Sequence, residues 1–519
     1  MTGRLNPLKP VQSAIMLVMV LTATLAMLLP LVLLSHPRDN EVWPYQAISE
    51  MKAEGRLIPV LNGERLAGQN PVTLTGFSFL PLRGIPAFRV VACVLGCILV
   101  TSIFLYSLSL WGAKTAISSS IITATSLGFV ALYGTMNTTV LPVTSAVIAY
   151  LLFSHAYLKG SGRSWYIASY VLAGIATIAG GFAFLVFFAF GAILLILLDL
   201  EPLHFFSIYL IPGMLINLTL IIAFFLTYRI VLGPGFVSGL MSPGENLGLI
   251  SSLKAIVTYS APWIPLVIPA WIYGEGPGEQ QAWRTLMPLR IAFVLVMAVL
   301  WLSSRCLPQY AMVAMPFGAM LIGGWISRDL LSGDHQGSLA SLMVLVSGVL
   351  VFGATLFFFL LIPFREGFIG MKQAATLAGF ACGTLIFFIL MAKRKLLAGL
   401  IVAVVACASV VWCLAWLNQQ DQWGQKISFI ERISRSSPLV VYEDDLIMRG
   451  YLSVVGSKPV ILQKDIVLFR DTAFLAVSAR DLDKYLNPLK TRTNPVVLHS
   501  YQSENTYALV MISPKKKIE

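Results

Sequence analysis

Charge is what this chain has least of. Only 12% of its 519 residues are Asp, Glu, Lys or Arg, while 57% are hydrophobic. A water-facing surface needs more charge than that, so a soluble fold is excluded. Histidine is scarcer still, five in all, which leaves little from which to build a His-based metal centre or a catalytic triad. The six cysteines (Cys93, Cys97, Cys306, Cys382, Cys407, Cys413) all lie in or at the edge of apolar runs. None falls in the polar C-terminal part, so there is no disulfide framework. Cys93 and Cys97 share a helix face, but two thiols without a His or acid partner read as packing residues. A Walker-type Gly loop, a nucleophile elbow, a solenoid repeat and a low-complexity tract are also missing.

What the chain has is hydrocarbon. Its mean hydropathy is +0.81. Apolar runs of about 18 residues or more recur, near the length that crosses a bilayer. They fall near 11–35, 85–111, 114–134, 138–158, 164–180, 182–199, 203–228, 254–273, 288–304, 309–330, 338–363, 372–392 and 396–417, about thirteen spans. The first is too long for a signal-peptide core and no A-x-A site follows it, so it reads as a retained helix. The expected fold is therefore an α-helical polytopic membrane protein.

Basic residues in short loops orient it. Arg4 and Lys9, Lys114, Lys159 and Arg163, Arg284 and Arg290, Arg328, and Lys393 to Lys395 fall in alternate loops, which the positive-inside rule makes cytoplasmic. An odd number of spans then puts the tail on the opposite face from the N-terminus. The net charge of +12 fits cytoplasmic loops and lipid headgroups rather than nucleic acid.

Two regions are polar. In 36–84, the first outer loop, Tyr45 to Glu54 has apolar residues at helical spacing, and Gly55 can stop it. This predicts a short helix lying on the membrane surface. In 418–519, Pro438 to Tyr442, Lys458 to Leu462 and Tyr507 to Ile512 are short β-type runs between helical or turn-rich segments. The expected division is a membrane domain over 1–417 and a small outer α/β domain over 418–519.

Acids are rare in the first two-thirds, so His36-Pro-Arg-Asp-Asn-Glu-Val-Trp-Pro-Tyr45 stands out directly after the first span. A carboxylate beside a bilayer is costly to desolvate and is often kept for function, although a solvated loop carrying charge explains it equally well. An acid with several guanidiniums near a membrane suits one reaction type. The acid orients or deprotonates an acceptor, and the cations hold a lipid phosphate as it leaves. For any single Arg, a headgroup anchor is the commoner role.

These motifs, in this order, resemble a known family. The acidic stretch with Tyr45 and Ile48 is followed by Pro59-Val-Leu-Asn-Gly-Glu64 and then Pro71. This resembles the first outer loop of the protein-mannosyltransferase-like and aminoarabinose-transferase-like GT-C glycosyltransferases, which runs Asp-Glu-x-x-Tyr-x-x-Ile, Pro-x-Leu-Asn-Gly, Glu-Lys-Pro-Pro. Phe88 to Gly96, Leu172 to Gly181, Ala261-Pro-Trp-Ile-Pro265 and Ser303-Ser-Arg-Cys-Leu-Pro-Gln-Tyr310 through Pro316 resemble later family motifs. Asp445-Leu-Ile-Met-Arg-Gly-Tyr-Leu-Ser453 resembles a stretch of the outer domain of aminoarabinose transferases.

The resemblance implies a GT-C fold with a cavity at the outer face. It also implies a polyprenyl-phosphate (undecaprenyl-phosphate) sugar donor and inverting transfer to a lipid, glycan or protein acceptor. By position it implies Glu41 as the catalytic acid, or Asp39 if the alignment shifts. Arg89 and Arg305 would bind donor phosphate, with Tyr45, Asn62, Asn137 and Tyr310 lining the cavity. It implies a bacterial inner membrane, a cytoplasmic N-terminus and a periplasmic tail. No cofactor is assigned. A divalent metal stays open, since Asp39, Glu41 and Glu64 share a loop, but acids without His are more often solvated.

The sequence departs from the pattern at several charges. Val42 stands at the second acid, Asn137 at the second-loop Asp, Gly180-Gly181 at Lys-Gly, and Gln69-Asn70-Pro71 at Glu-Lys-Pro. A second reading follows from those losses: a relative without transfer activity that binds lipid-linked glycan in an envelope assembly. A transporter fits less well, since no inverted repeat is visible and intramembrane acids are almost missing.

Overall fold

The computed structural model describes residues 10–33, 39–55, 59–62, 64–65, 71–81, 84–160, 162–198, 210–232, 248–273, 280–302, 308–330, 335–356, 371–417, 439–442, 449–450, 452–453, 460–462, 473–478, 493–500 and 507–514. These form two compact units. The first takes residues 1–35 and 86–417, and the second takes 36–85 and 418–519. The first outer loop falls in the same unit as the tail.

The first unit is a helical bundle. In order it holds α1 (Pro10–Leu33), α4 (Ile85–Trp111), α5 (Ala113–Ala124), α6 (Leu127–Tyr133), α7 (Val140–Lys159), α8 (Arg163–Gly180) and α9 (Phe182–Leu198). There follow α10 (Leu210–Leu232), α11 (Gly248–Ser260), α12 (Ile264–Tyr273), α13 (Gln280–Leu302), a 3₁₀ turn (Pro308–Val313) and α14 (Ala314–Trp325). The unit closes with α15 (His335–Ala354), α16 (Met371–Ala392) and α17 (Leu396–Leu417). Among the described residues, each apolar run of the sequence overlaps one of these helices or one bent pair. Among the described residues, six helices are long and apolar enough to cross a membrane, or eight if each bent pair is one span. The chain is a multi-pass membrane protein.

Burial grades from the centre outwards. In the stretch Tyr310–Arg328, 89% of an 18-residue window is buried, against 22% for Leu396–Cys413. The outer helices turn Val11, Ile15, Leu215, Leu350 and Ile401 outwards, the reverse of a soluble protein and the expected face toward lipid. At the centre, α5 packs on α14 through small residues. Gly323 lies so close to Ser119 and Thr115 that a Cβ there would overlap them. Such close backbone approach is the usual basis of helix packing in lipid.

Two bent pairs interlock. The α5–α6 pair bends by 64° and the α11–α12 pair by 99°. A bend frees backbone groups that hydrocarbon cannot satisfy, so each break needs partners. Here the breaks serve each other: Leu127 N–H donates to the Ala261 carbonyl at 2.9 Å, and Trp263 Nε1 donates to Thr125 Oγ1 at 3.1 Å. Ser126 caps α6, its Oγ accepting from Phe129 N–H at 3.3 Å. The Ala261-Pro262 peptide bond is cis.

The second unit holds α2 (Asp39–Glu54), the short antiparallel pair β1 (Val60–Leu61) and β2 (Glu64–Arg65), and α3 (Pro71–Ser78). Its tail part carries β3 (Leu439–Tyr442), β4 (Val460–Leu462), β5 (Ala473–Ser478), β6 (Thr493–Ser500) and β7 (Tyr507–Pro514). These make one sheet in the order β4-β3-β5-β7-β6, parallel among β4, β3 and β5 and antiparallel onwards. Pro495 sits in β6 at the sheet edge, where a missing ladder donor is tolerated. Three strands fall on the β-type runs of the sequence. The helical segments expected between them lie largely outside the described residues.

Candidate active site

The acidic stretch opens α2. The helix starts at Asp39 rather than at the expected Tyr45, so both acids occupy its first turn. Backbone N–H groups there lack helical partners and favour negative charge. Glu41 is fully buried, and Tyr45, one turn on, is half-buried. The Asp39 side chain lies outside the described residues. Val42, Ala47, Ile48 and Met51 are buried along the same helix, while Ser49, Lys52, Ala53 and Glu54 are exposed, so α2 has one buried and one open face. Ala47 and Leu61 form a small apolar core with Trp43 against it.

A polar clasp ties this helix to the tail. Asn62 occupies the turn between β1 and β2 with φ of 58°, a left-handed conformation that Asn tolerates better than most residues. Its N–H donates to Glu50 Oε1 at 3.1 Å, and the same oxygen accepts from Ser453 Oγ at 2.6 Å. Arg449 is 1% exposed. Its Nη2 donates to the Leu61 carbonyl at 2.7 Å and its Nε to Asn62 Oδ1 at 3.5 Å. Gly450 lies against the Trp43 backbone: an added Cβ would fall 2.7 Å from the Trp43 nitrogen. The Leu-Asn-Gly and Arg-Gly-x-x-Ser motifs, separate in the sequence, are thus two halves of one contact. The sequence signal for Arg449 was present in the stretch Asp445 to Ser453, without a role attached to it.

In the first unit the other site residues gather at helix ends. Arg89 is 1% exposed, one turn into α4. Its Nη1 donates at 2.9 Å to the carbonyl of Leu31, among the last four of α1, which have no acceptor role inside the helix. A cation there also meets the negative end of the helix dipole. The Leu31 side chain packs on Gly134, where an added Cβ would fall 3.1 Å from Leu31 Cβ. Three residues on, Asn137 Oδ1 accepts from Thr139 N–H at 2.9 Å and from Thr139 Oγ1 at 2.7 Å, closing an Asx turn ahead of α7.

Tyr310 completes the set. It is 5% exposed, and its hydroxyl donates at 3.0 Å to the Gly180 carbonyl at the end of α8. Its ring meets Phe184 edge-on, with centroids 4.7 Å apart. Both border a small apolar pocket of about 20 Å³, lined also by Phe187, Val296, Leu300 and Val313. Gly180 must be small, since an added Cβ would fall 2.6 Å from Pro142 Cβ and overlap Phe184. Gly181 has φ of +96°, which suits glycine. Arg89, Asn137 and Tyr310 therefore each hold backbone at a helix terminus, those of α1, α7 and α8 in turn. Arg305 lies outside the described residues. So does the Glu64 side chain, and among the described residues no three His, Cys, Asp or Glu gather to hold a metal ion.

No protein-family model and no curated protein matches the sequence. The crystal structure of ArnT from Cupriavidus metallidurans in the apo state matches with a TM-score of 0.69. That match covers 96% of this chain and 98% of ArnT at 14% identity. The chain has a GT-C fold. ArnT bound to undecaprenyl phosphate matches with a TM-score of 0.66, over 97% of this chain and 98% of that one at 13% identity. An oligosaccharyltransferase from Archaeoglobus fulgidus matches at 0.48, over 98% of this chain and 74% of that one at 11% identity.

Proposed function

We propose that the chain is an integral membrane glycosyltransferase that moves a sugar from a polyprenyl phosphate to an acceptor at the outer membrane face. The observation that carries this reading is the end-to-end likeness to ArnT, which includes a structure with bound undecaprenyl phosphate, in a chain whose first outer loop buries a carboxylate, Glu41. Fold alone does not fix activity.

In the reaction, Glu41 (or Asp39) takes or orients the proton of an acceptor O–H or N–H. The acceptor atom attacks the anomeric carbon, and the bond from that carbon to the phosphate oxygen breaks. The polyprenyl phosphate leaves with the electron pair, and Arg89 and Arg305 stabilise the charge it gains. A hexose or a pentose would fit this chemistry. Tyr45, Asn62, Asn137 and Tyr310 would border the sugar or the acceptor. The matching topology is thirteen crossings in a bacterial inner membrane, with a cytoplasmic N-terminus and a periplasmic α/β tail. Its support is the recurrence of bilayer-length apolar runs along the sequence, with basic residues in alternate loops.

A second reading, a lipid-linked-glycan binder without turnover, draws on one observation. Asn137 stands where the family carries an acid, and its side-chain oxygen is committed to a local turn. Thermal unfolding of purified protein with undecaprenyl phosphate tests the donor site that both readings share. Saturable stabilisation, reaching about 2.7 kcal/mol at a hundredfold excess over Kd, is expected. It should be weakened in Arg305→Ala and in Arg89→Lys, and Arg89→Lys should remain folded because it retains the buried charge. A folded protein with no stabilisation would remove the donor site from the account.

A further inference from the structure

The clasp between the tail and the first loop holds α2 at two levels. Near the start of the helix, the Trp43 backbone abuts Gly450. Near its end, Glu50 Oε1 takes hydrogen bonds from Ser453 Oγ at 2.6 Å and from Asn62 N–H at 3.1 Å. Trp43 and Glu50 are about two turns apart, some 10 Å along the axis at ~1.5 Å rise per residue. A helix pinned at two such points cannot slide or rotate without breaking one of them. Arg449 locks the turn that shares Glu50, through the Leu61 carbonyl and Asn62 Oδ1. The contact at Gly450 is with backbone, so no flexible side chain can absorb a change there.

We propose that Arg449, Gly450 and Ser453 are positioning residues for α2, so that the tail sets where Asp39 and Glu41 stand and transfer depends on a region that contributes no reacting group. This rests on the transferase reading, and the test separates the two. Full-length protein in lipid nanodiscs is compared with Arg449→Ala, Arg449→Lys and Gly450→Ala by two readouts. One is hydrogen–deuterium exchange of the amides in residues 41–51. The other is steady-state transfer from a polyprenyl-phosphate sugar.

In Arg449→Ala and Gly450→Ala, exchange across α2 is expected to rise roughly tenfold or more while the bundle helices keep their protection. kcat is expected to fall about tenfold with KM for the donor within about twofold, because the acid is displaced while the proposed phosphate ligands Arg89 and Arg305 are unaltered. Arg449→Lys should recover part of both, since an ammonium can meet one acceptor but lacks the guanidinium fork. Unchanged α2 exchange in all three variants overturns the proposal, as does raised exchange with unchanged kcat. If the wild type itself does not turn over, the transferase reading fails, and the exchange arm still decides whether the tail holds α2. If Arg449→Ala does not fold, the other two variants decide alone.

Discussion

Tyr310, Arg89 and Asn137 have one local task in common: each satisfies backbone at the end of a helix. Tyr310 serves α8, Arg89 serves α1, and Asn137 serves the turn into α7. Polar side chains at helix ends are what a membrane protein must keep at a face where backbone runs out of partners, and such a face is also where a polar substrate can bind. The local roles therefore do not compete with the proposed ones. They do make the residues costly to remove. Tyr310→Phe deletes one buried hydrogen bond and should lower unfolding stability by roughly 1 kcal/mol. Gly180→Ala should cost more, about 1–3 kcal/mol, because the new methyl must displace Phe184 or Pro142. Thermal unfolding of both variants beside the wild type checks the order. An equal or smaller loss for Gly180→Ala would mean that the packing at the α8–α9 break is looser than described.

Helices were legible from the sequence because hydrocarbon length is a local property. What was not legible is how their irregularities are repaired. Pro30 inside α1 has no N–H, so the Ala26 carbonyl loses its helical donor. Trp412 of α17 donates its Nε1–H to that carbonyl at 3.3 Å. The repair comes from 386 residues along the chain, beyond any pattern a window could read. A double-mutant cycle tests it. Trp412→Phe should destabilise the wild type by about 0.5–1.5 kcal/mol, and by much less in a Pro30→Ala background where the helix supplies its own bond. Additive losses would mean that the indole bond does not matter. The interlocked bends at Leu127 and Ala261 were hidden for the same reason. Strands β5 and β6 carried a weaker pattern than β3, β4 and β7. β6 contains Pro495, which argues against a strand until its edge position is known.

For the whole molecule, the separation between sequence and fold is wide. At 14% identity to ArnT, a TM-score of 0.69 over 96% of the chain shows a shared fold. Several of the ordered motifs are tied to backbone geometry. Asn62 needs its left-handed turn, Gly450 its close contact, and Gly180 and Gly181 their break. The grouping of the first loop with the tail could not be read from composition, since the Arg449 contact to Leu61 spans 388 residues. The central claim is that this fold still transfers a sugar, and that the acids of α2 do the proton work. The most direct measurement is transfer of labelled sugar from a polyprenyl phosphate by purified protein, with a screen of donors and acceptors. Turnover by the wild type, reduced roughly 10²- to 10⁴-fold in the Asp39→Asn Glu41→Gln double variant with its fold intact, is the expected result. Turnover that survives the double substitution would contradict the account.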